Sequence, residues 1–308
     1  MIEGRSRWLL PTALLAAILA VSTASIMIRY AQTEAPSLVI AALRLTFAAL
    51  LLAPIAWTRH RRELASLTRS DILLGGVSGC FLAAHFATWI SSLEYTTVAS
   101  SVVFVTTGPL WVALLSPVLL HEKSNRAAIL GLVIAILGGT LIGLSDACTW
   151  NRGMRCPDLN ELLRGRAMWG NFLALVGAWT ISGYLIIGRK LRARMALVPY
   201  IFLVYGICAV VLLTTMLIAR QSPFGYRPQT YGWIFLLAAF PQLIGHSTYN
   251  WTLGYLPATF VAVTTLGEPI SSAILAYFLL QETPTMVVVA GGVLILFGIY
   301  LASRSATP

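Results

Sequence analysis

Long apolar stretches alternate with short polar segments along this chain, and each stretch has about the 20 residues that a helix needs to cross a bilayer. Most of the polar connections are only a few residues long, which favours tightly packed helical hairpins without an inserted soluble domain. The pattern predicts an all-α integral membrane protein with ten transmembrane helices. The ten stretches lie at residues 8–30, 37–57, 73–93, 98–120, 126–144, 167–188, 198–219, 231–253, 258–280 and 285–302.

One polar connection is much longer than the others and divides the chain near its middle. Residues 146–166 contain four arginines, Pro157 and two cysteines. We interpret this segment as a solvated linker with one short amphipathic helix at residues 158–164, and a functional lid is the alternative. The chain is therefore predicted to consist of a first five-helix unit at residues 1–145, this linker, and a second five-helix unit at residues 167–308.

The two units are copies of each other. A constant offset of 160 residues aligns them, and 13 of the 49 positions from Leu93 to Leu141 are identical to their counterparts. The identical pairs include Pro109 with Pro269, Glu122 with Glu282, Gly131 with Gly291 and Gly138 with Gly298. Because each unit has an odd number of helices, the second copy enters the membrane from the opposite side. The prediction is an inverted repeat, a recurrent plan of secondary transporters that also occurs in some channels.

The composition argues against a soluble protein. Hydrophobic residues make up 58% of the chain and charged residues only 10%, whereas about a quarter of the residues in soluble domains are charged. A surface with so few charges needs lipid around most of it. The net charge is +10, but nearly all basic residues lie between the apolar stretches. Membrane topology explains that placement, so no nucleic acid is expected as a partner.

The basic residues also predict the orientation of the chain. Lys and Arg concentrate in the cytoplasmic loops of membrane proteins. With the N-terminus in the cytoplasm, the inner segments carry 13 basic residues and the outer segments carry 7, of which four belong to residues 146–166. We therefore expect a multi-pass protein of the cell membrane (inner or plasma membrane) with both termini in the cytoplasm and the long linker outside.

Two matching stretches carry a family resemblance. Each combines a small-residue helix that contains a proline with a terminal glutamate, and a glycine-rich helix follows: LEYTTVASSVVFVTTGPLWVALLSPVLLHE and LGYLPATFVAVTTLGEPISSAILAYFLLQE. They resemble the EamA repeat of the drug/metabolite transporter superfamily. The resemblance covers both halves and implies ten helices around a central cavity that transports small metabolites, often in the direction of efflux. It implies no particular substrate. The sequence does not match the cavities lined with basic residues in the nucleotide-sugar and triose-phosphate relatives, which argues against a multiply anionic substrate.

Glu268 is the first candidate for a functional residue. It lies near the middle of the ninth stretch, where an ionisable group costs about 3 kcal/mol or more. The following Pro269 removes a helical hydrogen bond and predicts a kink, and Pro109 predicts a matching kink in the fourth stretch. We predict that Glu268 lines a cavity and accepts a substrate amine or a proton, and the alternative is a protonated glutamate that joins two helices. Its counterpart is Gly108, so the duplicated site is chemically asymmetric.

Two histidines occupy nearly equivalent places in the third and eighth stretches, since the offset pairs His85 with Gly245, the neighbour of His246. Residues spaced by three, four or seven positions share one face of an α-helix. The predicted faces carry His85, Trp89 and Ser92 in the third stretch, and Gln242, His246, Tyr249 and Asn250 in the eighth. These faces are predicted to line a cavity between the halves, although many such histidines serve only in hydrogen bonds between helices.

Arg44 is a further candidate, about two turns into the second stretch. It either snorkels to the outer surface or neutralises an acidic group or a substrate carboxylate in the cavity, and the sequence does not decide between these roles. Most polar and aromatic residues in membrane helices pack against neighbours or lie at the interface. The weaker candidates for the pathway are therefore Thr107, Trp111, Ser22, Trp179 and Tyr184.

No cofactor, metal site or enzyme chemistry is expected. The chain lacks H-E-x-x-H, G-x-S-x-G and phosphate-loop motifs, and nothing supplies zinc ligands at suitable spacing. We predict a secondary transporter for small polar or amphipathic metabolites, with amino acids or related compounds as the leading class. A channel, a lipid scramblase and, less, an intramembrane enzyme are the alternatives.

The expected partners are the lipid bilayer, the small-molecule substrate and protons as a coupling ion, and the sequence does not fix the oligomeric state. Cys148 and Cys156 lie eight positions apart in the linker. Disulfides persist outside the cytoplasm. These two cysteines are therefore expected to be able to bond if the outer compartment is oxidising.

Overall fold

A computed structural model of the protein describes residues 9–119, 126–147 and 165–304. These residues form helices with short connections, and no strand occurs among them. One further segment, Ala238–His246, is π-helical. In chain order the α-helices are α1 (Leu9–Ser22), α2 (Ala24–Ala31), α3 (Ser37–Arg59), α4 (Arg61–Ala65), α5 (Arg69–Ser92), α6 (Val98–Val105), α7 (Gly108–Leu119), α8 (Arg126–Ala147), α9 (Arg166–Arg192), α10 (Leu197–Ile218), α11 (Pro228–Leu237), α12 (Ser247–Thr252), α13 (Ala258–Thr264), α14 (Gly267–Leu280) and α15 (Met286–Arg304).

Seven helical stretches in the described ranges are long and apolar enough to cross a membrane. They are Thr12–Ala31, Ser37–Arg59, Arg69–Ser92, Val98–Leu119, Arg166–Arg192, Leu197–Ile218 and Ala258–Leu280. Each coincides with a predicted apolar stretch. Helix also covers the three other predicted stretches, in α8, in α11 to α12, and in α15. The predicted all-α fold is therefore confirmed.

Large apolar side chains are exposed on the outside of this protein, among them Leu73, Val118, Ile218 and Phe278. The core is also mostly apolar, but Arg44, Gln242 and Asn250 are completely buried in it. An apolar exterior is favourable against lipid, and the buried polar groups must then find partners within the protein.

Two of the membrane spans are interrupted near their middle, between α6 and α7 and between α13 and α14. Thr–Thr pairs lie at the breaks, at residues 106–107 and 264–265, and each hydroxyl donates to a carbonyl oxygen three or four residues earlier (2.6–2.8 Å). Such bonds compete with the helical ladder and bend it. Pro109 and Pro269 follow in the first turn of the next helix, where their missing N–H is not needed. The same local chemistry thus opens both helices.

The π-helical segment interrupts a third span. A π-helix forms hydrogen bonds between residues five apart, is rare, and often marks a functional site. Pro241 lies within the segment and lacks an N–H. The backbone N–H and the hydroxyl of Ser247 both donate to the carbonyl oxygen of Gln242, five residues earlier, and the hydroxyl bond is 3.2 Å long. Residues after the segment are rotated relative to the register of a continuous α-helix.

Helices α8 and α15 pack against each other through glycines. A Cβ on Gly138 would lie 2.6 Å from the carbonyl oxygen of Gly291, and a Cβ on Gly298 would lie 2.4 Å from that of Gly131. No side chain fits at such separations, so the contact requires glycine. Gly131 contacts Gly298 and the later Gly138 contacts the earlier Gly291, so the two helices run antiparallel.

An ion pair ties helix ends together at one end of the bundle. Arg29 bonds to Glu282 (2.9 Å) and also donates to the carbonyl oxygen of Thr96 (3.1 Å). The second carboxylate oxygen of Glu282 accepts the backbone N–H of Val98 (2.8 Å), at the start of α6. Since the first N–H groups of a helix have no partner within it, Glu282 also caps α6.

Two connections at equivalent places in the two units are each held by an ion pair. The connection contributes the acidic residue in the first unit and the basic residue in the second. Glu34, before α3, accepts hydrogen bonds from the Arg227 side chain (2.9 Å) and from the Thr230 hydroxyl (2.7 Å) at the start of α11. Arg194, before α10, pairs with Asp71 (2.6 Å) in the first turn of α5. The hydrogen bonds from the Thr230 side chain and the Arg227 backbone lower the pKa of Glu34 below its usual value.

Candidate functional site

A cavity of about 640 Å³, its open side included, lies between the two units. A largely apolar wall with a few polar groups is the usual construction of a small-molecule site. Both helix breaks contribute to this wall. It consists of Val21, His85, Trp89, Val105, Thr106, Gly108 and Pro109 from the first unit, and of Ile181, Tyr184, Leu185, His246, Tyr249, Val261, Ala262, Thr265 and Glu268 from the second.

Glu268 lies in the first turn of α14, directly after the second break. Its Oε1 accepts a hydrogen bond from the hydroxyl of Tyr249 (3.0 Å). None of the ion pairs in the described ranges includes Glu268. The side chain is partly exposed to the cavity, so the carboxyl group has a neutral donor on one side and open space on the other.

His85 is oriented by the opposite unit. Its Nδ1 lies 2.9 Å from the carbonyl oxygen of Gly177 on α9. A carbonyl oxygen only accepts, so Nδ1 carries the proton and Nε2 of the neutral ring is a free acceptor. The ring stacks on Trp89 with 5.8 Å between the ring centroids. The indole Nε1 of Trp89 is buried and has no hydrogen-bond partner, so this part of the wall offers one acceptor and one donor.

His246 ends the π-helical segment and is 8% exposed. Its ring centroid lies 6.4 Å from those of both His85 and Tyr249. Within the described ranges its ring nitrogens make no hydrogen bond. The two histidines and the Glu268–Tyr249 pair thus form one connected group of polar side chains around the cavity.

Phe86 connects this group to Arg44. Its ring centroid is 4.9 Å from that of His85 and 5.4 Å from that of His246, and the guanidinium carbon of Arg44 lies 4.2 Å from the centre of the same ring. The sequence analysis did not single out Phe86. Nothing distinguishes it there from the other aromatic residues of the apolar stretches, since its place is set by packing.

Arg44 does not snorkel to the outer surface, and it does not line the cavity. It is 0% exposed, and its Nε donates to Oε1 of Gln242 (3.1 Å). None of the acidic residues in the described ranges forms an ion pair with it. Helix α3 packs against α10 and the π-helical segment, and these neighbours close the path from the guanidinium to the surface.

Gln242 and Asn250 also lie outside the cavity wall, although the predicted face grouped them with Tyr249. Asn250 Nδ2 donates instead to the hydroxyls of Tyr184 (2.5 Å) and Tyr205 (3.2 Å). Two physical reasons explain why Gln242 and Asn250 do not face the cavity together with Tyr249. Neighbours such as Tyr249 and Asn250 are about 100° apart on an α-helix, and the π-helical segment changes the angular spacing after Gln242.

Three other predicted residues are not part of the cavity wall and contact one another instead. Trp111 donates from Nε1 to the hydroxyl of Thr107 (3.3 Å), and its ring meets that of Trp179 edge to face at 5.5 Å. These contacts attach α7 to α9. Ser92, predicted on the face of His85, bonds to Ser101 (2.6 Å) and is buried. Of the weaker candidates, Tyr184 is the one that lines the cavity.

Comparison with known proteins identifies the family. The sequence pattern of the EamA-like transporter family matches residues 8–144 and again residues 168–304. The chain belongs to the EamA-like transporter family. An uncharacterized transporter from Archaeoglobus fulgidus is 23% identical over 260 residues, which cover 82% of this EamA-like chain and 84% of that relative. A protein of known crystal structure is 19% identical and shares the fold, with a TM-score of 0.67 over 98% of both chains.

The family match and the apolar helices together make this EamA-like chain a multi-pass membrane protein of a transporter family. The two matched segments are related by the same 160-residue offset that aligns the halves, which confirms the duplication. The family points to a transport role and not to an enzyme.

Two polar residues of the cavity wall of the EamA-like chain were not predicted from the sequence, namely Thr106 and Thr265. A signal for them was present. The strings VTTGP and VTTLGEP end at the equivalent prolines Pro109 and Pro269, and each contains a threonine pair two to five residues before the proline. Because threonine hydroxyls can replace the helical bonds that a proline disrupts, this repeated string indicates an opened helix.

Several predictions concern residues outside the described ranges. Cys148 and Cys156, the short helix at residues 158–164 and Glu122 belong to this group. Cys80 and Cys208 are free thiols. In the described part of the EamA-like chain, no three or more His, Cys, Asp or Glu side chains are grouped in a way that could hold a metal ion.

Proposed function

We propose that this EamA-like protein is a secondary transporter that moves small polar or amphipathic metabolites across the cell membrane by alternating access, in the direction of efflux. The observation that carries the proposal is the cavity between the units, which brings Glu268, His85 and His246 together. Walls from two units can rock against each other around one site. Amino acids or related compounds are the leading substrates, because Glu268 offers an acceptor for an amine.

The architecture we infer has ten transmembrane helices in two inverted five-helix repeats. Helices α8 and α15 correspond at the 160-residue offset, and they pack antiparallel through the corresponding glycines. A twofold axis in the membrane plane makes corresponding helices antiparallel, so this packing supports an inverted repeat. Glu34 and Arg194 are also 160 positions apart, and they fasten equivalent connections.

We assign proton coupling to Glu268. Ionisable groups inside the membrane mark ion and proton pathways, and Glu268 bonds to Tyr249, a neutral donor. A proton and a substrate amine would compete for the same carboxylate. Binding of the amine would then release the proton, and rebinding of a proton on the other side would release the amine. This competition gives proton-driven antiport with a single acidic residue.

Transport is tested by reconstitution of the purified protein into liposomes with a panel of labelled metabolites. A carrier gives saturable uptake that unlabelled substrate inside the liposomes accelerates, which is counterflow. A channel gives uptake without counterflow, and a scramblase moves fluorescent lipids instead. Either of the latter results, or uptake equal to that of protein-free liposomes for every compound, would contradict the proposal.

The orientation we propose places both termini in the cytoplasm and residues 146–166 outside, from the distribution of basic residues. A single cysteine engineered into this linker, in a background without Cys148 and Cys156, tests it. An impermeant maleimide should label the cysteine on intact cells. Labelling that requires permeabilised membranes would reverse the orientation and leave the transport proposal unaffected.

A further inference from the structure

A group of buried hydrogen-bond donors without an acceptor lies behind the cavity wall. Arg44 and Gln242 are both completely buried. The bond from Arg44 Nε to Gln242 Oε1 fixes the amide orientation, because a guanidinium N–H bonds only to an acceptor. Both terminal nitrogens of Arg44 and the Nε2 of Gln242 are left without partners. All three of these groups donate, and none accepts.

The neighbours of Arg44 do not neutralise it. The face of Phe86 stabilises the guanidinium, but it supplies no counter-charge. Tyr205 lies nearby, and its hydroxyl is already bonded to Asn250 (3.2 Å) and Ser247 (3.3 Å). An arginine keeps its charge in proteins, and a buried charge without a partner is strongly unfavourable. Arg44 therefore needs an anion that no acidic residue in the described ranges provides.

We propose that Arg44 and Gln242 form a binding site for one small monovalent anion, either chloride or the carboxylate group of an organic molecule. One guanidinium matches one negative charge, and its two terminal nitrogens fit a carboxylate in a bidentate manner. This site differs from that of Glu268, which offers acceptors and would take a cation or a proton.

Phe86 separates the anion site from the cavity. One side of its ring contacts Arg44, and its other neighbours are His85 and His246, which line the cavity. An anion in the cavity reaches Arg44 when this ring turns aside. A molecule with an amine at Glu268 and a carboxylate at Arg44 would be held at both charges. This last arrangement rests on the proposed transport function, whereas anion binding itself does not.

The test measures binding to the purified protein in detergent, in the absence of transport. The apparent melting temperature is compared in sodium chloride, sodium acetate and sodium isethionate at equal ionic strength, the last being a bulky sulfonate. A ligand that binds the folded state raises this temperature, here by about 3 °C when the anion concentration is several times its Kd. A rise in chloride alone identifies an inorganic anion, and a rise in acetate identifies a carboxylate. Equal temperatures in all three salts would overturn the proposal.

Two variants assign the effect to this site. Gln242→Glu places a carboxylate directly on Arg44, so we expect a higher melting temperature in isethionate and no response to the smaller anions. Arg44→Gln removes the charge and should also abolish the response. This second variant decides the test if Gln242→Glu does not fold. Arg62→Gln removes an exposed charge and should respond like the wild type. A full response in both site variants would show that the anion binds elsewhere. Failure of counterflow would leave these measurements unaffected.

Discussion

The two helix breaks share one backbone mechanism and differ in their chemistry. At both, threonine hydroxyls bond back to carbonyl oxygens and a proline follows in the first turn of the next helix. At the first break the cavity wall carries Gly108 and Pro109, and at the second it carries Glu268 with its partner Tyr249. The opening of the helix is therefore a property of both copies, whereas the ionisable group belongs to one. A symmetric scaffold can support movement while a single residue determines what is bound.

The largest effect on transport is expected when the ionisable group at the second break is removed. Glu268→Gln keeps the size and hydrogen bonding of the side chain but cannot exchange a proton. Flux driven by a pH gradient should fall about a hundredfold, the lower range of losses when a proton-transfer group is removed. Exchange of substrate without a gradient should persist. Both activities are measured in the same liposomes.

Glu282→Gln is the matched control, because Glu282 follows the same helix but lies outside the cavity wall and pairs with Arg29. It should retain the pH dependence of the wild type. If Glu268→Gln lost exchange together with driven flux, Glu268 would bind the substrate amine without coupling protons. Wild-type flux and pH dependence in that variant would reduce Glu268 to a buried structural acid.

The next largest effect is on stability and concerns the glycine contact between the corresponding helices α8 and α15. Gly298→Ala would place a Cβ 2.4 Å from the carbonyl oxygen of Gly131, and backbone cannot move aside as a side chain can. We expect a loss of about 2 kcal/mol in the free energy of unfolding, as for other overpacked positions, measured by denaturant titration. Gly76→Ala meets nothing within 4 Å and is the control. Because alanine favours a helix over glycine, Gly76→Ala should be unchanged or slightly more stable. A free energy of unfolding in Gly298→Ala that is no lower than in Gly76→Ala would show that the contact does not require glycine.

A smaller effect on transport is expected when the hydrogen bond from Tyr249 to Glu268 at the second break is removed. Tyr249→Phe removes the hydroxyl that donates to Glu268 (3.0 Å) and leaves the ring in place. A hydrogen bond to a charged group is worth about 1.5–3 kcal/mol, so counterflow should fall about tenfold. Tyr277→Phe, at an exposed position on α14, should have no effect. Unchanged counterflow in Tyr249→Phe would show that the carboxyl group is positioned by the backbone alone.

The smallest effect concerns the two fastened connections. The pKa of Glu34 is lowered by its hydrogen bonds, so its contribution to stability is present above the unfolded pKa of about 4.3 and is lost as the pH falls through the folded value. Glu34→Gln should therefore reduce the decline of melting temperature on acidification, and the two proteins should converge at low pH. Thr230→Val removes one of the bonds and should give part of the change. A parallel decline in wild type and Glu34→Gln would contradict this role.

The helices and the duplication were predictable because each depends on local properties. The length of an apolar stretch decides whether it can cross a bilayer, and a constant offset needs no knowledge of packing. His85, Trp89 and Tyr249 were expected near Glu268, and the structure does bring them to one cavity. Their spacing along helices carried that information.

What the sequence could not give depends on tertiary packing. Arg44 was open to two roles because its burial is set by α10 and the π-helical segment, which are distant along the chain. Gln242 was assigned to the wrong face because the π-helical segment changes the angular spacing after it. Asn250 was assigned there although it lies about 100° from Tyr249 on the same α-helix. Phe86 carries no distinguishing signal, for an aromatic residue in an apolar stretch has many possible neighbours.

The π-helical segment also records a difference in chain length between the copies. Helix α5 spans Arg69–Ser92 with 24 residues, and its counterpart begins at Pro228, 159 positions after Arg69, yet ends at Thr252, 160 positions after Ser92. The helical run of the second copy is thus one residue longer, and a π-helical turn accommodates a single extra residue. His246 lies one position past Gly245, the counterpart of His85 at the 160-residue offset. Two equivalent helices therefore present different side chains to the same cavity.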